Sequence, residues 1–135
     1  YKHGGERLKV TAQGAEKVWE NKNMHNHCKS GVLREGHLYG PDDGGLRCLA
    51  FDTGELKWTY REFGKGSLMV ADGKLVGLSE KGELIIAQAA PAAFEPIARA
   101  KVLTGKCWTT PVLANGRIYC RNAVGDVVCL DVSGK

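Results

Sequence analysis

The side chains best equipped for chemistry cluster early in the chain, in Met24-His25-Asn26-His27-Cys28-Lys29. In an extended segment alternate residues share a face, so His25 and His27 fall on one side and Cys28 on the other. Two imidazoles at that spacing can share a metal ion, but a tetrahedral zinc site needs a third or fourth ligand that this pattern does not disclose. The other reading is a pair of hydrogen-bonded loop histidines. A second group appears six residues before Gly36, Gly73 and Gly116, where Ser30, Ser67 and Thr110 stand in register. Two positions earlier come Cys28, Lys65 and Trp108, with Lys29 beside the first of them. Lys29, Lys65 and Trp108 would together make a cationic and aromatic pocket for an anionic or planar ligand. The structural alternative has the hydroxyls bonded at strand ends, Trp108 packed in the core and the lysines solvated.

Other chemistry finds little support. General acid–base catalysis needs carboxyls held close together with shifted pKa values, whereas Glu16, Glu55, Glu62, Glu80, Glu83 and Glu95 fall mostly in turn contexts. No Ser, His and Asp set stands out, and Gly64-Lys65-Gly66-Ser67 lacks the remaining spacing of a phosphate-cradling loop. The densest acidic spot, Asp42-Asp43 in Pro-Asp-Asp-Gly-Gly, reads as a turn.

The elements that must position these residues are short strands. An apolar run, a two-residue turn ending in Gly and a second apolar run recur at 32–39, 69–76 and 112–119. Asp72-Gly73 and Asn115-Gly116 supply the positive φ of a tight hairpin turn, and Glu35-Gly36 is a weaker form of the same signal. Each hairpin is followed after 8 or 9 residues by another Gly (Gly44, Gly82, Gly125) and another apolar strand. The result is a three-stranded meander, to which segments such as Glu55 to Tyr60 add a fourth, outer strand. Trp58 and Trp19 occupy equivalent outer strands and offer large surfaces for packing between sheets. The hairpin glycines lie 37 and 43 residues apart, bracketing the ~40 residues of one four-stranded propeller blade.

Composition agrees. Eighteen Gly against 4 Pro in 135 residues is nearly twice the usual ~7% Gly, which suits many turns and excludes a helical bundle. The 19 Lys and Arg against 15 Asp and Glu are spread along the chain, so the net charge of +4 does not make the basic stripe that nucleic-acid binding needs. No apolar stretch approaches the ~20 residues of a membrane-spanning helix. Five cysteines (Cys28, Cys48, Cys107, Cys120, Cys129), odd in number and without a Cys-x-x-Cys pair, read as buried free thiols instead of a disulfide framework.

Gly36-His37-Leu38-Tyr39 through Leu46-Arg47-Cys48-Leu49-Ala50-Phe51-Asp52-Thr53-Gly54-Glu55-Leu56-Lys57-Trp58, echoed in Val127 to Lys135, resembles the pyrroloquinoline-quinone-like β-propeller repeat. That repeat is shared by quinoprotein alcohol dehydrogenases and by a periplasmic scaffold lipoprotein. The resemblance covers about residues 8 to 135 and implies an all-β propeller in a periplasmic or extracellular location. For the dehydrogenases it implies pyrroloquinoline quinone between a Trp and a vicinal Cys-Cys disulfide, beside Ca²⁺. This sequence has no Cys-Cys, so no cofactor is expected outside that alternative.

The expected architecture is a partial propeller of about three four-stranded antiparallel blades. Residues 1–23 supply outer strands of a preceding blade, 24–60 and 61–102 a blade each, and 103–135 the inner strands of a last one. Closed rings have four to eight blades, so the expected partners are remaining blades, other copies or another chain meeting open strand edges. The expected role is a non-catalytic module for protein–protein interaction or scaffolding. The alternatives are a portion of a quinone-dependent oxidoreductase and a propeller that binds a small ligand or carbohydrate.

Overall fold

The computed structural model describes residues 3–27 and 29–134. Cys28, expected as a buried free thiol, lies outside the described residues. Among the described residues thirteen strands, all paired antiparallel, form four sheets. The first is the hairpin β1 (Gly5–Thr11) and β2 (Gly14–Asn21). The first whole blade follows as β3 (Val32–Arg34), β4 (His37–Asp42), β5 (Gly45–Ala50) and β6 (Leu56–Tyr60). The second is β7 (Ser67–Ala71), β8 (Lys74–Leu78), β9 (Glu83–Gln88) and β10 (Pro96–Lys101). The last sheet holds β11 (Val112–Ala114), β12 (Arg117–Arg121) and β13 (Val127–Asp131). Strands within each sheet neighbour one another in sequence order, which is the meander of a propeller blade. The described residues thus hold two four-stranded sheets, with a two-stranded sheet before them and a three-stranded sheet after them.

Local turn chemistry sets this register. Glu35, Asp72 and Asn115 have φ of 47°, 45° and 50°, and the glycines after them have φ of 72°, 71° and 71°. Two successive positive values make the hairpin turn whose twist matches that of the strands. Equivalent pairs follow in each sheet: Val32 opposite Tyr39, Met69 opposite Val76, Val112 opposite Tyr119. Glu35 tolerates a conformation that favours Asn or Gly, and its carbonyl lies 2.9 Å from His37 Nδ1. All three outer pairings, β1–β2, β5–β6 and β9–β10, break register once, the bulge that lets an edge strand twist away from the sheet.

Alternation then gives every blade two apolar faces. Tyr39 and Cys48 on one face of the first blade, flanked by Val32 and Trp58, pack on Leu68, Leu75, Ile85 and Ala87 of the second. The opposite face of the second blade, Val76, Leu78 and Leu84 with Met69, packs on Ile118 and Cys120 of the last sheet. Outer-strand tryptophans fasten neighbouring sheets. Trp19 Nε1 donates to the Phe51 carbonyl at 2.8 Å and Trp58 Nε1 to the Ala90 carbonyl at 2.9 Å, each reaching 32 residues ahead.

Glycine is required where the chain leaves one blade for the next. A Cβ on Gly82 would lie 2.3 Å from the Leu103 carbonyl oxygen, and one on Gly45 2.3 Å from that of Tyr60. Both residues have positive φ. In the first blade it is therefore Gly45, and not the adjacent Gly44 of the 43–44 turn, that makes the close approach.

Of the described cysteines, Cys48, Cys107 and Cys120 are buried free thiols, and burial pushes Cys48 and Cys120 up to about 11. Cys129 is exposed, which corrects the expectation that it is buried. Its counterpart Cys48 is covered by the following blade, and no blade follows β13 in the described chain.

Replacing Gly82 by Ala drives a methyl group into backbone and strains a positive φ, so it should cost about 3 kcal/mol or more. Urea denaturation of G82A should show a lowered midpoint at unchanged slope, while an equal loss in the solvent-facing G36A would deny the backbone approach any special role.

Candidate functional site

The segments that open the inner strands converge beside the turn joining β4 to β5. They line a cavity of about 140 Å³ with His27, Lys29, Pro41, Asp42, Asp43, Lys65 and Trp108. Lys29, Lys65 and Trp108, drawn from three different repeats, all line this cavity. Of the hydroxyls aligned with them, Ser67 is buried and donates to the Trp108 carbonyl at 3.0 Å. Ser30 and Thr110 are exposed and do not line it.

Trp108 is held at its edge while much of its ring stays accessible. It is 45% exposed, its Nε1 donates to Glu80 Oε1 at 3.1 Å, and the Lys106 ammonium sits 5.1 Å from its ring centroid. Glu80 also accepts from the Lys65 backbone N–H at 3.3 Å. The indole N–H, helped by that amide and by the nearby Lys65 and Lys106 charges, holds the Glu80 carboxyl below the usual carboxylate value. The alternative of Trp108 as a core residue does not describe this arrangement.

Asp42 is the polar hub of the floor. It is 5% exposed, accepts from the His25 backbone N–H and from Gly44 N at 3.2 Å, and forms an ion pair with Arg47 NH2 at 3.0 Å. Arg47 also donates to the Asn23 carbonyl at 2.6 Å, tying the 22–27 segment to the blade. This hub was missed in the sequence, although a signal exists. Asp42, Ser79 and Asn122 each stand six residues after a hairpin Gly, and all three are buried. Each accepts a backbone N–H across the following turn, from Gly44, Glu83 and Asp126 respectively. The position is a turn lock in every repeat, and in the first repeat it also bears a charge.

The two histidines do not form a joint site. Their segment is irregular instead of extended, and His25 Nδ1 lies 3.3 Å from Asp42 while His27 Nδ1 lies 2.8 Å from Asp43. Among the described residues no three His, Cys, Asp or Glu side chains are grouped to hold a metal ion. The vicinal cysteine pair that the family resemblance associates with the quinone is absent from the sequence, and the Asp42 carboxylate is already engaged by two backbone N–H groups and the Arg47 guanidinium.

The structural comparisons bear on the frame of this site. BamB from Moraxella catarrhalis superposes with a TM-score of 0.73 at 15% identity, over 97% of this chain and 41% of that one. The likeness is one of fold. PorZ, described as an essential bacterial surface component of the type-IX secretion system of Porphyromonas gingivalis, gives a TM-score of 0.54 at 17% identity over 96% of this chain and 18% of that one. A computationally designed protein, Ika8, gives 0.57 at 10% identity over 76% and 32%. The chain therefore spans less than half the length of the solved structures that it matches here, and its architecture is that of a partial β-propeller. No family model matches the sequence, and no curated protein matches it. No helix of the described chain is long and apolar enough to cross a membrane.

Two outcomes follow for the site. Asp42→Ala removes the carboxylate beside Arg47 and should destabilise by roughly 3 kcal/mol, since an uncompensated, largely buried charge remains; thermal unfolding of D42A and of the D42A/R47M pair would show it, the pair recovering part of the loss. Because the Glu80 carboxyl is held below its unfolded value, the stability it supplies is present above that value and fades as pH falls through the lowered one. The Trp108 Nε1–H resonance should accordingly shift with a midpoint below ~4.3. A midpoint at or above that value, or an unchanged titration in E80Q, would remove Glu80 from this role.

Proposed function

We propose that this chain is part of a larger propeller and works as a non-catalytic module for protein–protein interaction or assembly scaffolding in the bacterial envelope, periplasmic or extracellular. The observation that carries the reading is the uncovered face of the last sheet. Val112, Tyr119 and Cys129 lie side by side there, with Val127 beyond them. Val112 is 55%, Tyr119 38% and Val127 63% exposed. The equivalent first-blade residues, Val32, Tyr39 and Cys48, belong to the core against the second blade. A face built to the same pattern has the same use, and contiguous exposed apolar surface on a soluble domain marks an interaction site. Its occupant is a further blade, whether of the same ring, of another copy or of a partner chain.

The fold likeness to BamB and to PorZ, the latter described as a surface component of a secretion system, supports the envelope setting. Cys129 reports on the face. It should react rapidly with maleimide in the isolated 135-residue chain and be protected at least tenfold in the native assembly. Isolated chain that is a monodisperse monomer at micromolar concentration, with Cys129 equally reactive in both states, would sink the proposal.

A further inference from the structure

The cavity at the strand openings lies in the inner part of the sheets, and nothing about the uncovered blade face requires it. Three observations describe what would fill it. First, Trp108 is an ordered aromatic ring that is not used as core: its edge is fixed by Glu80 and its backbone by Ser67, so stacking on it costs little conformational entropy. Second, Pro41 is buried and lines the same space, giving the cavity an apolar wall as well as an aromatic one. Third, cationic groups line its mouth while the acidic groups, Glu80 included, are already engaged, Glu80 by the Trp108 indole and the Lys65 amide. Asp42 is compensated by Arg47, and Asp43 lies against His27. Lys65 Nζ stands 3.9 Å from Asp43, near enough for attraction and too far for a hydrogen bond. Its N–H donors can therefore reach an incoming acceptor, with Lys29 on the same wall.

Size narrows the class. The cavity of about 140 Å³ is close to the ~150 Å³ space that holds one benzene ring, and too small for a fused polycyclic ligand. We infer that this cavity is a binding site for a monocyclic aromatic carboxylate, its ring against Trp108 and Pro41 and its carboxylate at Lys65. Two sources present that chemistry: a free aromatic acid, and the C-terminal aromatic residue of a peptide. A guest of this kind is recognised by geometry as well as charge, since ring and carboxylate must be satisfied together.

The test titrates ¹⁵N-labelled chain with benzoate, with acetyl-Gly-Phe bearing a free carboxylate, and with neutral benzyl alcohol. Saturable shifts of the Trp108 Nε1–H resonance are expected, with those of Trp19 and Trp58 unmoved because those indoles sit on outer strands and do not line the cavity. W108A should weaken benzoate binding about tenfold, the upper value for an aromatic pair. K65M should weaken it a few-fold and reduce its sensitivity to about 0.5 M salt. Whichever of benzoate and the dipeptide binds more tightly identifies the source. Equal binding of benzyl alcohol, equal shifts at all three indoles, or an affinity unchanged in K65M would overturn the inference. Should W108A fail to fold, the wild-type indole resonances and K65M decide it alone.

Discussion

Each of the three larger sheets in this protein is apolar on two faces, and a sheet of three or four short strands cannot bury both by itself. Everything else depends on that constraint. The first whole blade covers one face of the second, and the second covers one face of the last sheet, so two clusters of buried residues arise in place of a single central core. At roughly 25 cal/mol per Å² of apolar surface, such contacts are what make blades stable, and hydrogen bonds along each ladder mainly avoid loss. A stack of this kind has no natural end. Whatever face lies last is left with the composition of an interior.

The same constraint explains how the site is placed. Stacking blades by their faces brings the starts of their inner strands together, so residues 36 and 43 positions apart in the chain become neighbours around one opening. Lys29, Lys65 and Trp108 meet for this reason. Local devices then make the opening rigid. Ser67 holds the backbone of Trp108, Glu80 holds its indole, and Asp42 gathers Arg47 and the 22–27 segment under the floor. The turn-lock position that Asp42 shares with Ser79 and Asn122 shows a structural role adapted in a single repeat. A hydroxyl or an amide suffices to close the turn, and the carboxylate adds a charge that positions neighbouring segments.

Much of this was legible in the residues. The hairpins at Glu35-Gly36, Asp72-Gly73 and Asn115-Gly116 form where the positive-φ signal put them, and Trp19 and Trp58 occupy equivalent outer strands. The placement of Lys29, Lys65 and Trp108 around one opening was legible because repeat register is a form of spatial information. Three features were not. Cys129 looks in sequence like Cys48, and only the presence or absence of a following blade separates a buried thiol from an exposed one. His25 and His27 have the spacing of a metal pair, but Asp42 and Asp43, arriving from another strand, draw the two rings to separate partners. Gly44 and Gly45 are adjacent, and which of them must lack a side chain depends on where the Tyr60 carbonyl crosses.

The sequence by itself determined the short strands, the turn types and the period of the repeat, because these follow from φ preferences and alternation over a few neighbouring residues. Tertiary structure alone decided which apolar faces are covered, which thiols are shielded and which polar groups pair around the cavity. Those outcomes rest on distances between residues far apart in the chain, and such distances are fixed only when one sheet settles on the next.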